Sequence, residues 1–397
     1  MKTATHCVHP VKNHDPYGAI SPPIYQTATF RQPNATEFGE YDYTRSGNPT
    51  RSLLERQLAT LEDGDYACAF SSGMAAITAL TRLLNQRDEI IAGDDLYGGT
   101  VRLLNQVLSR QGTIVHYADT TNLRAVQEVM SPRAKLILVE TPSNPLLRIS
   151  DIQALAELAH TVGAILAVDN SILSPCLQKP LLFGADVVVH SATKFLCGHS
   201  DVTAGALITK CQELFERLAF QQNAEGSGLS PFESWLLLRG MKTLALRVER
   251  QNASAQKIAQ HLASNLRVER VFYPGLEAHP DYALQNKQAK GDGAVISFTT
   301  GDADFSKRLV EATQLFEIAV SFGSVGSVIS LPCRMSHASI PAALRSRLSP
   351  PPDLVRLSVG IEDVDDLIED LNQAFEAASR GTAERSKGEP LMSSACA

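Results

Sequence analysis

Residues 66–209 alternate short apolar runs with amphipathic stretches. YACAF (66–70), EIIAG (89–93), TIVHY (113–117), KLILVE (135–140), AILAVDN (164–170), DVVVHS (186–191) and AGALIT (204–209) have the length and β-branched content of strands. Between several of them, segments such as DIQALAELAHTV (151–162) carry apolar residues at helical spacing. This alternation predicts an α/β chain with a mostly parallel central sheet covered by helices on both faces. Ligands of such sheets bind outside the carboxyl ends of the strands, so the residues at those ends carry the functional question.

The flanking regions read differently. Pro10, Pro16, Pro22, Pro23 and Pro33 exclude a long helix near the start and predict an extended arm. Its aromatic residues (Tyr17, Tyr25, Phe30, Phe38, Tyr41, Tyr43) pack either on a second subunit or on the chain's own core. Asn48-Pro49-Thr50 opens a helix with leucines at helical spacing. A long helix is expected from about residue 231 to 264, joining two domains. Beyond it, strands at 268–272, 293–299, 317–321, 325–332 and 354–360, with helices at 304–316 and 363–378, form a smaller α+β unit. The expected division is an arm and first helix (1–61), a large α/β domain (62–258), a C-terminal α+β domain (259–380) and a polar tail (381–397).

The net charge of −7, with both signs interspersed and no basic block, speaks against a nucleic-acid partner. Seven scattered cysteines without a CxxC pair suggest neither a disulfide framework nor a zinc site, and fit a reducing compartment. The N-terminus lacks the apolar core of a secretory signal, and no apolar run reaches the ~18 residues that span a membrane. A cytoplasmic protein is expected.

Ser191-Ala192-Thr193-Lys194 directly follows strand 186–191. A lysine there is either a solvated loop residue or a nucleophile, and the two hydroxyls suit a phosphate beside it. Strand 66–70 leads into Ser71-Ser72-Gly73-Met74, either an ordinary serine helix cap or a phosphate site built from free N–H groups. Tyr97, beside Gly98 and Gly99, is either a rim tyrosine or a ring that lies flat over a ligand. Tyr43 and Arg45 stand two apart in an extended segment, so they point to one side and suit an anion. Asn144 and Asp169 also fall at strand ends. Pyridoxal phosphate (PLP) needs these parts: a lysine for its aldehyde, a carboxylate for its pyridinium nitrogen, phosphate ligands and an aromatic face. Lys194, Asp169, Ser191, Thr193, Gly73, Met74, Arg45 and Tyr97 supply them. His190, His199 and Asp201 flank the lysine at a spacing that suits no common metal site, so they are assigned structural or supporting roles and no metal is expected.

The segments YDYTRSGNPTR, SSGMAA, DDLYGGT, ETPSNP, AVDNS, HSATKFLCGHSDV, SFGS and RLSVGIED resemble the PLP enzymes of cysteine and methionine metabolism, over residues 15 to 378. NAEGSGLSPFESWLLLRG, VSFGSVGSVISLPCRMSHASIP and DLVRLSVGIEDVDDLI are similar to the plant-type cystathionine β-lyases within that family. The resemblance implies the aminotransferase-like fold type I and a homotetramer built from dimers that share active sites. It implies that Lys194 bonds the cofactor and moves protons, Asp169 pairs with the pyridinium, and Tyr97 stacks on the ring and assists proton transfer. It assigns the phosphate to Gly73, Met74, Ser191 and Thr193, with Tyr43 and Arg45 reaching it from the partner subunit. Arg356 grips the substrate carboxylate, with Ser321 and Asn144 beside cofactor and substrate.

The residue before the serine of SFGS is a glutamate in many γ-synthases and γ-lyases of this family. Here it is Val320. Methionine γ-lyases often carry a cysteine where this chain has Gly99. Both departures favour a carbon–sulfur lyase that performs β-elimination of L-cystathionine to homocysteine, pyruvate and ammonia. The alternatives are γ-chemistry, another thioether substrate, and a non-catalytic scaffold on the same fold.

Overall fold

The computed structural model describes residues 1–9, 15–335 and 348–385. Pro10, the SHASIP stretch of the resemblance (336–341) and the tail beyond residue 385 lie outside them.

Seven strands form the large sheet: β1 (Tyr66–Phe70), β2 (Glu89–Gly93), β3 (Ile114–Ala118), β4 (Ala134–Glu140), β5 (Ile165–Asp169), β6 (Val187–His190) and β7 (Gly205–Thr209). They lie in the order β1-β7-β6-β5-β4-β2-β3. The pairs from β3 through β6 are parallel, and β7 is antiparallel to both of its neighbours. The mostly parallel sheet expected from the apolar alternation is present, with one reversed strand.

Alternate side chains divide between the faces, as the pleat requires. Ile90, Leu136, Leu138, Ala167, Val187 and Val189 enter one core cluster, while Ile91, Ile137, Val139, Leu166 and Val168 enter another on the opposite side. With both faces buried, each strand reads as a continuous apolar run. Burying one such side chain contributes about 1.5–3 kcal/mol.

Helix α2 (Pro49–Leu61) starts where the sequence indicates. The Asn48 side chain caps it by accepting from the Thr50 N–H at 3.0 Å, and Pro49 needs no hydrogen bond at its first position. The arm is not wholly extended. A short helix, α1 (Thr3–Val8), precedes its prolines and buries Cys7. Helices α3 (Gly73–Thr81), α4 (Gly98–Arg102), α5 (Leu123–Val129), α6 (Ile152–His160), α7 (Ser174–Leu177) and α8 (Gln212–Ala224) follow. A π-helical turn (Leu103–Val107) and a 3-10 turn (Leu108–Gln111) extend α4.

The single long helix expected at 231–264 is two: α9 (Pro231–Met241) and α10 (Leu244–Ala263). Arg247 spans the break. Its buried guanidinium donates to the Gly240 carbonyl at 3.0 Å and to the Phe195 carbonyl at 2.8 Å. The Gly240 carbonyl also accepts the Thr243 N–H at 3.3 Å, closing α9 in a turn. The same arginine ties the break to the residue after Lys194.

The second sheet has five strands, β8 (Arg270–Phe272), β9 (Val295–Thr299), β10 (Glu317–Ile318), β11 (Val328–Ser330) and β12 (Val355–Ser358), in the order β10-β11-β12-β9-β8. Helices α11 (Tyr282–Gln288), α12 (Ala303–Ala312) and α13 (Val364–Arg385) pack around it, α13 running past the expected end at 378. The expected division at 258/259 falls inside α10. One hydrophobic cluster runs from Leu54, Val188 and Leu237 through Ile258 to Val295, Leu357 and Leu371, so the two sheets share a core.

Candidate active site

A cavity of about 500 Å³ opens at the carboxyl ends of β4, β5 and β6. Its walls include Ser72, Gly73 and Met74 from the start of α3; Tyr97; Glu140 and Asn144; Asp169; Ser191, Thr193 and Lys194; and Val320, Ser321, Phe322, Met335 and Arg356 from the C-terminal region. Every predicted site residue except Tyr43 and Arg45 meets here.

Close packing shapes one wall. A Cβ on Gly73 would lie 3.0 Å from the Ser191 Cβ, and one on Gly205 would lie 2.2 Å from the Ser72 carbonyl oxygen. Glycine at both positions lets the start of α3 sit against the loop after β6. The Ser72 hydroxyl accepts from the Ala75 N–H at 3.0 Å, capping the helix. The first turn of an α-helix leaves N–H groups without intrahelical partners, and Gly73 and Met74 occupy that turn. Both functions considered for this serine-glycine stretch are therefore compatible, because Ser72 caps the Ala75 N–H while Gly73 and Met74 line the cavity.

Two buried cations and two carboxylates set the field. Burial and the nearby Arg356 guanidinium push the Lys194 amine down to about 8, against the pull of Asp169 and Glu140. Its Nζ donates to the Ser321 hydroxyl and lies 4.7 Å from the centre of the Phe322 ring. Burial likewise lowers Arg356 to about 10. Arg356 is only 2% exposed; its Nη1 donates to Asn144 Oδ1 at 2.7 Å and its Nη2 to the Ser321 carbonyl at 3.0 Å. These two bonds fix the plane of the guanidinium and leave further N–H donors for an anion. Ser321 reaches this position with φ +84°, in the left-handed region that costs a non-glycine residue about 1–3 kcal/mol.

Asp169 sits beside Glu140 across the β4–β5 ladder. Burial raises Asp169, opposed by the side-chain and backbone hydrogen bonds of Ser171 and by the charges of His190 and Lys194. Burial raises Glu140 much further, and the charges of Asp169 and Asp95 add to the rise. Glu140 was not singled out in the sequence. The available signal was its place, a carboxylate ending an apolar strand at the ligand-binding rim. Phe322 and Met335 carried no such signal, because an apolar residue after an irregular segment reads as core.

Tyr97 is 42% exposed, and its ring folds over Gly99: a Cβ there would lie 2.4 Å from the ring's Cε1. Glu140 accepts the Tyr97 N–H at 3.2 Å. The Thr193 hydroxyl donates to the Ala204 carbonyl at 3.2 Å and accepts from the Ala204 N–H at 2.9 Å, so it also anchors the entry to β7. His199 Nδ1 donates to the Cys197 carbonyl at 2.7 Å, and the Cys197 thiol donates to Asp201. Among the described residues, no group of three or more His, Cys, Asp or Glu is placed to hold a metal.

Tyr43 and Arg45 line a separate cavity of about 410 Å³ with Gln26, Arg51 and Gly226. Arg45 packs over the Tyr43 ring at 5.3 Å and donates from Nε to Asn223 at 3.1 Å. One protomer does not bring these two residues to Lys194.

The arrangement defines an enzyme site for an aldehyde-bearing phosphate cofactor. A buried amine of lowered basicity can attack a carbonyl, a carboxylate beside it suits a cationic ring nitrogen, and the glycine-lined helix start suits a phosphate. The donor set fits PLP. The family described as Cys/Met metabolism PLP-dependent enzyme matches residues 4–376, and the chain belongs to it; its cofactor is PLP. The chain is 56% identical over 361 residues to the chloroplastic cystathionine beta-lyase of Arabidopsis thaliana, covering 91% of this chain and 78% of that one. It is 51% identical over 381 residues to the cystathionine beta-lyase of Neurospora crassa, covering 96% and 83%. The crystal structure of cystathionine gamma-lyase from Lactobacillus plantarum complexed with L-serine superposes with a TM-score of 0.93 at 43% identity, covering 96% of this chain and 100% of that one. The aminotransferase-like fold type I expected from the sequence agrees with that superposition.

Proposed function

We propose that the protein is a carbon–sulfur lyase that cleaves L-cystathionine by β-elimination into homocysteine, pyruvate and ammonia. The observation that carries this reading is the cavity wall beside Ser321, where Val320 is 58% exposed and occupies the position that, by the resemblance, holds a glutamate in many γ-synthases and γ-lyases. An apolar residue there offers no anion to the distal ammonium of a substrate held for γ-chemistry. The cystathionine β-lyase relatives support the same reading.

The site residues take the following roles. Arg356, held by Asn144 and the Ser321 carbonyl, binds the substrate α-carboxylate with its remaining donors. Bound PLP supplies the electron sink that makes the substrate Cα–H acidic. The Lys194 amine removes that proton, and its lowered basicity gives it a neutral fraction near neutral pH. Ser321 orients Nζ toward the cavity. Tyr97 would stack on the ring and assist proton transfer, and Asp169 would hold the ring nitrogen protonated. Loss of thiolate at Cβ breaks the C–S bond, and water then releases the remaining three carbons as pyruvate with ammonia. Gly73, Met74, Ser191 and Thr193 would hold the phosphate within the protomer.

The partner's copy of the Tyr43–Arg45 pair completes the phosphate site, and dimers assemble into a homotetramer in the cytoplasm. Support comes from the distance of this pair from the cavity within one protomer and from the exposed apolar side chains of the arm: Tyr17, Ile20 and Phe38 are 94%, 99% and 72% exposed. The described cysteines are free, which fits a reducing compartment. Among the described residues no helix is long and apolar enough to cross a membrane. Incubation with L-cystathionine tests the reaction. Pyruvate and homocysteine are expected; 2-oxobutyrate and cysteine would assign γ-elimination instead.

A further inference from the structure

The far side of the large sheet holds a polar cluster with no part in the chemistry above. Glu62, Asn170, Gln178 and His190 are each at most 1% exposed. Glu62 Oε1 accepts from Asn170 Nδ2 at 2.8 Å and pairs with His190 Nε2 at 2.5 Å. Asn170 Nδ2 also donates to the Gln178 carbonyl at 2.9 Å, and Gln178 Nε2 donates to the Thr141 carbonyl at 2.9 Å and to Asn170 Oδ1 at 3.2 Å.

The attachment points of this cluster are consecutive. Thr141 follows Glu140 at the end of β4, Asn170 follows Asp169 at the end of β5, and His190 precedes Ser191 at the end of β6. Each is one residue from a side chain that lines the cofactor cavity. Side chains alternate along a strand, so neighbours of cavity residues face away from the cavity. β4, β5 and β6 are adjacent in the sheet. A single carboxylate at the end of α2 therefore joins the ends of β5 and β6, and Gln178, bonded to Asn170, ties the end of β4 to them.

Stability alone does not account for such a cluster. Glu62 Oε2, Gln178 Oε1 and His190 Nδ1 are buried without hydrogen-bond partners. A partly satisfied polar network is less favourable than an apolar core of the same shape. What it supplies is direction, because hydrogen bonds fix strand ends in a way that apolar contacts do not. We propose that the Glu62–His190–Asn170–Gln178 network is a positioning clamp that sets Glu140, Asp169 and Ser191 against the cofactor from the opposite face of the sheet. His190 has a second effect on the same wall, since a positive charge there favours the ionised form of Asp169. The inference rests on the family's cofactor and not on the proposed substrate.

The test replaces the pair with apolar side chains, Glu62→Leu with His190→Leu, in the holoenzyme. Thermal midpoint, the dissociation constant of PLP, the visible circular dichroism of the bound cofactor and the turnover of any substrate the wild type accepts are then measured. The clamp predicts an unchanged or raised thermal midpoint, an altered cofactor dichroism, and kcat lower by roughly 10–100-fold with KM nearly constant, the range seen when supporting hydrogen bonds behind a site are removed. Asp370→Ala is the control: that buried carboxylate accepts from the N–H groups of Gln314, Leu315 and Phe316, away from the cavity. It should lower the midpoint and leave the cofactor signal unchanged. If the double variant does not fold, His190→Gln and Gln178→Leu are measured singly by the same readouts. Wild-type dichroism, PLP affinity and kcat in the folded variants overturn the proposal. Dichroism and affinity also report when no substrate is turned over, so failure of the clamp and failure of the cystathionine reading are distinguishable.

Discussion

The Lys194 cavity and the Tyr43–Arg45 cavity are of similar size and differ in what surrounds the charges. Around Lys194, Arg356, Glu140 and Asp169, burial moves every ionisable group away from its ordinary value. Each is also held by a second residue: Ser321 for the lysine, Asn144 for the arginine, the Tyr97 N–H for Glu140 and Ser171 for Asp169. Around Arg45, the guanidinium is exposed and shares a cation–π contact with a tyrosine that is itself 42% exposed. A buried charge with fixed partners is prepared for chemistry. An exposed one is prepared for a contact not yet made within the protomer. The contrast teaches that one chain builds the reacting centre by itself, and under the proposed function it leaves part of the phosphate's charge to a partner's Tyr43–Arg45 pair.

Lys194→Ala strikes the first cavity hardest. Turnover should fall by roughly 10²–10⁴-fold, the usual contribution of a placed proton-transfer group. The absorbance of lysine-bound cofactor should vanish, while PLP still associates through its phosphate. Retention of that absorbance would move the nucleophile elsewhere and remove the basis of the comparison. Arg356→Leu should be next. It removes charge-assisted hydrogen bonds worth about 1.5–3 kcal/mol each, so kcat/KM should fall by roughly 100-fold through KM, with cofactor absorbance intact.

The difference between the cavities also explains what was legible in the sequence. The strands, the ligand-binding rim and the residues at its strand ends followed from apolar periodicity, because burial on both faces forces that periodicity into the sequence. Asp169, Ser191 and Lys194 stand next to recognisable strands and were found by position. Glu140 occupies the same kind of position and was passed over, since a carboxylate that ends a strand usually meets solvent. Ser321 and Arg356 could be placed only through resemblance. Their convergence on Lys194 depends on a non-local fold, with the second sheet docked over the first, and no local pattern encodes that. The break between α9 and α10 was illegible as well: Arg247 bridges it to the Gly240 carbonyl and to the Phe195 carbonyl, the latter 52 residues away in sequence.

Arg45→Ala sharpens the comparison from the other side. It should weaken PLP retention by about tenfold, the loss of one charged hydrogen bond, without changing the lysine-bound absorbance of the loaded enzyme. If the pair serves a partner's site, Lys194→Ala and Arg45→Ala chains should complement. In a mixed dimer, one site collects both defects and the other collects none. Activity should appear on mixing and refolding the two variants at the low PLP concentration where each is inactive alone. Activity that stays at the level of the separate variants would confine Arg45 to its own protomer.

The smallest expected effect concerns pH. In cofactor-free enzyme, attack on the PLP aldehyde requires the neutral form of the Lys194 amine. Burial and Arg356 hold that amine at about 8, below the ordinary 10.5 of lysine. Below the lowered value the amine is protonated and unreactive; above it the neutral form predominates. The rate of loading, followed by absorbance after mixing, should therefore rise with pH and level off just above 8. A rate that climbs steadily toward 10 would describe a solvated lysine and would erase the contrast with Arg45. Arg356→Leu removes the second cause of the depression. Its loading profile should move to higher pH by a fraction of a unit, because burial, the larger cause, remains.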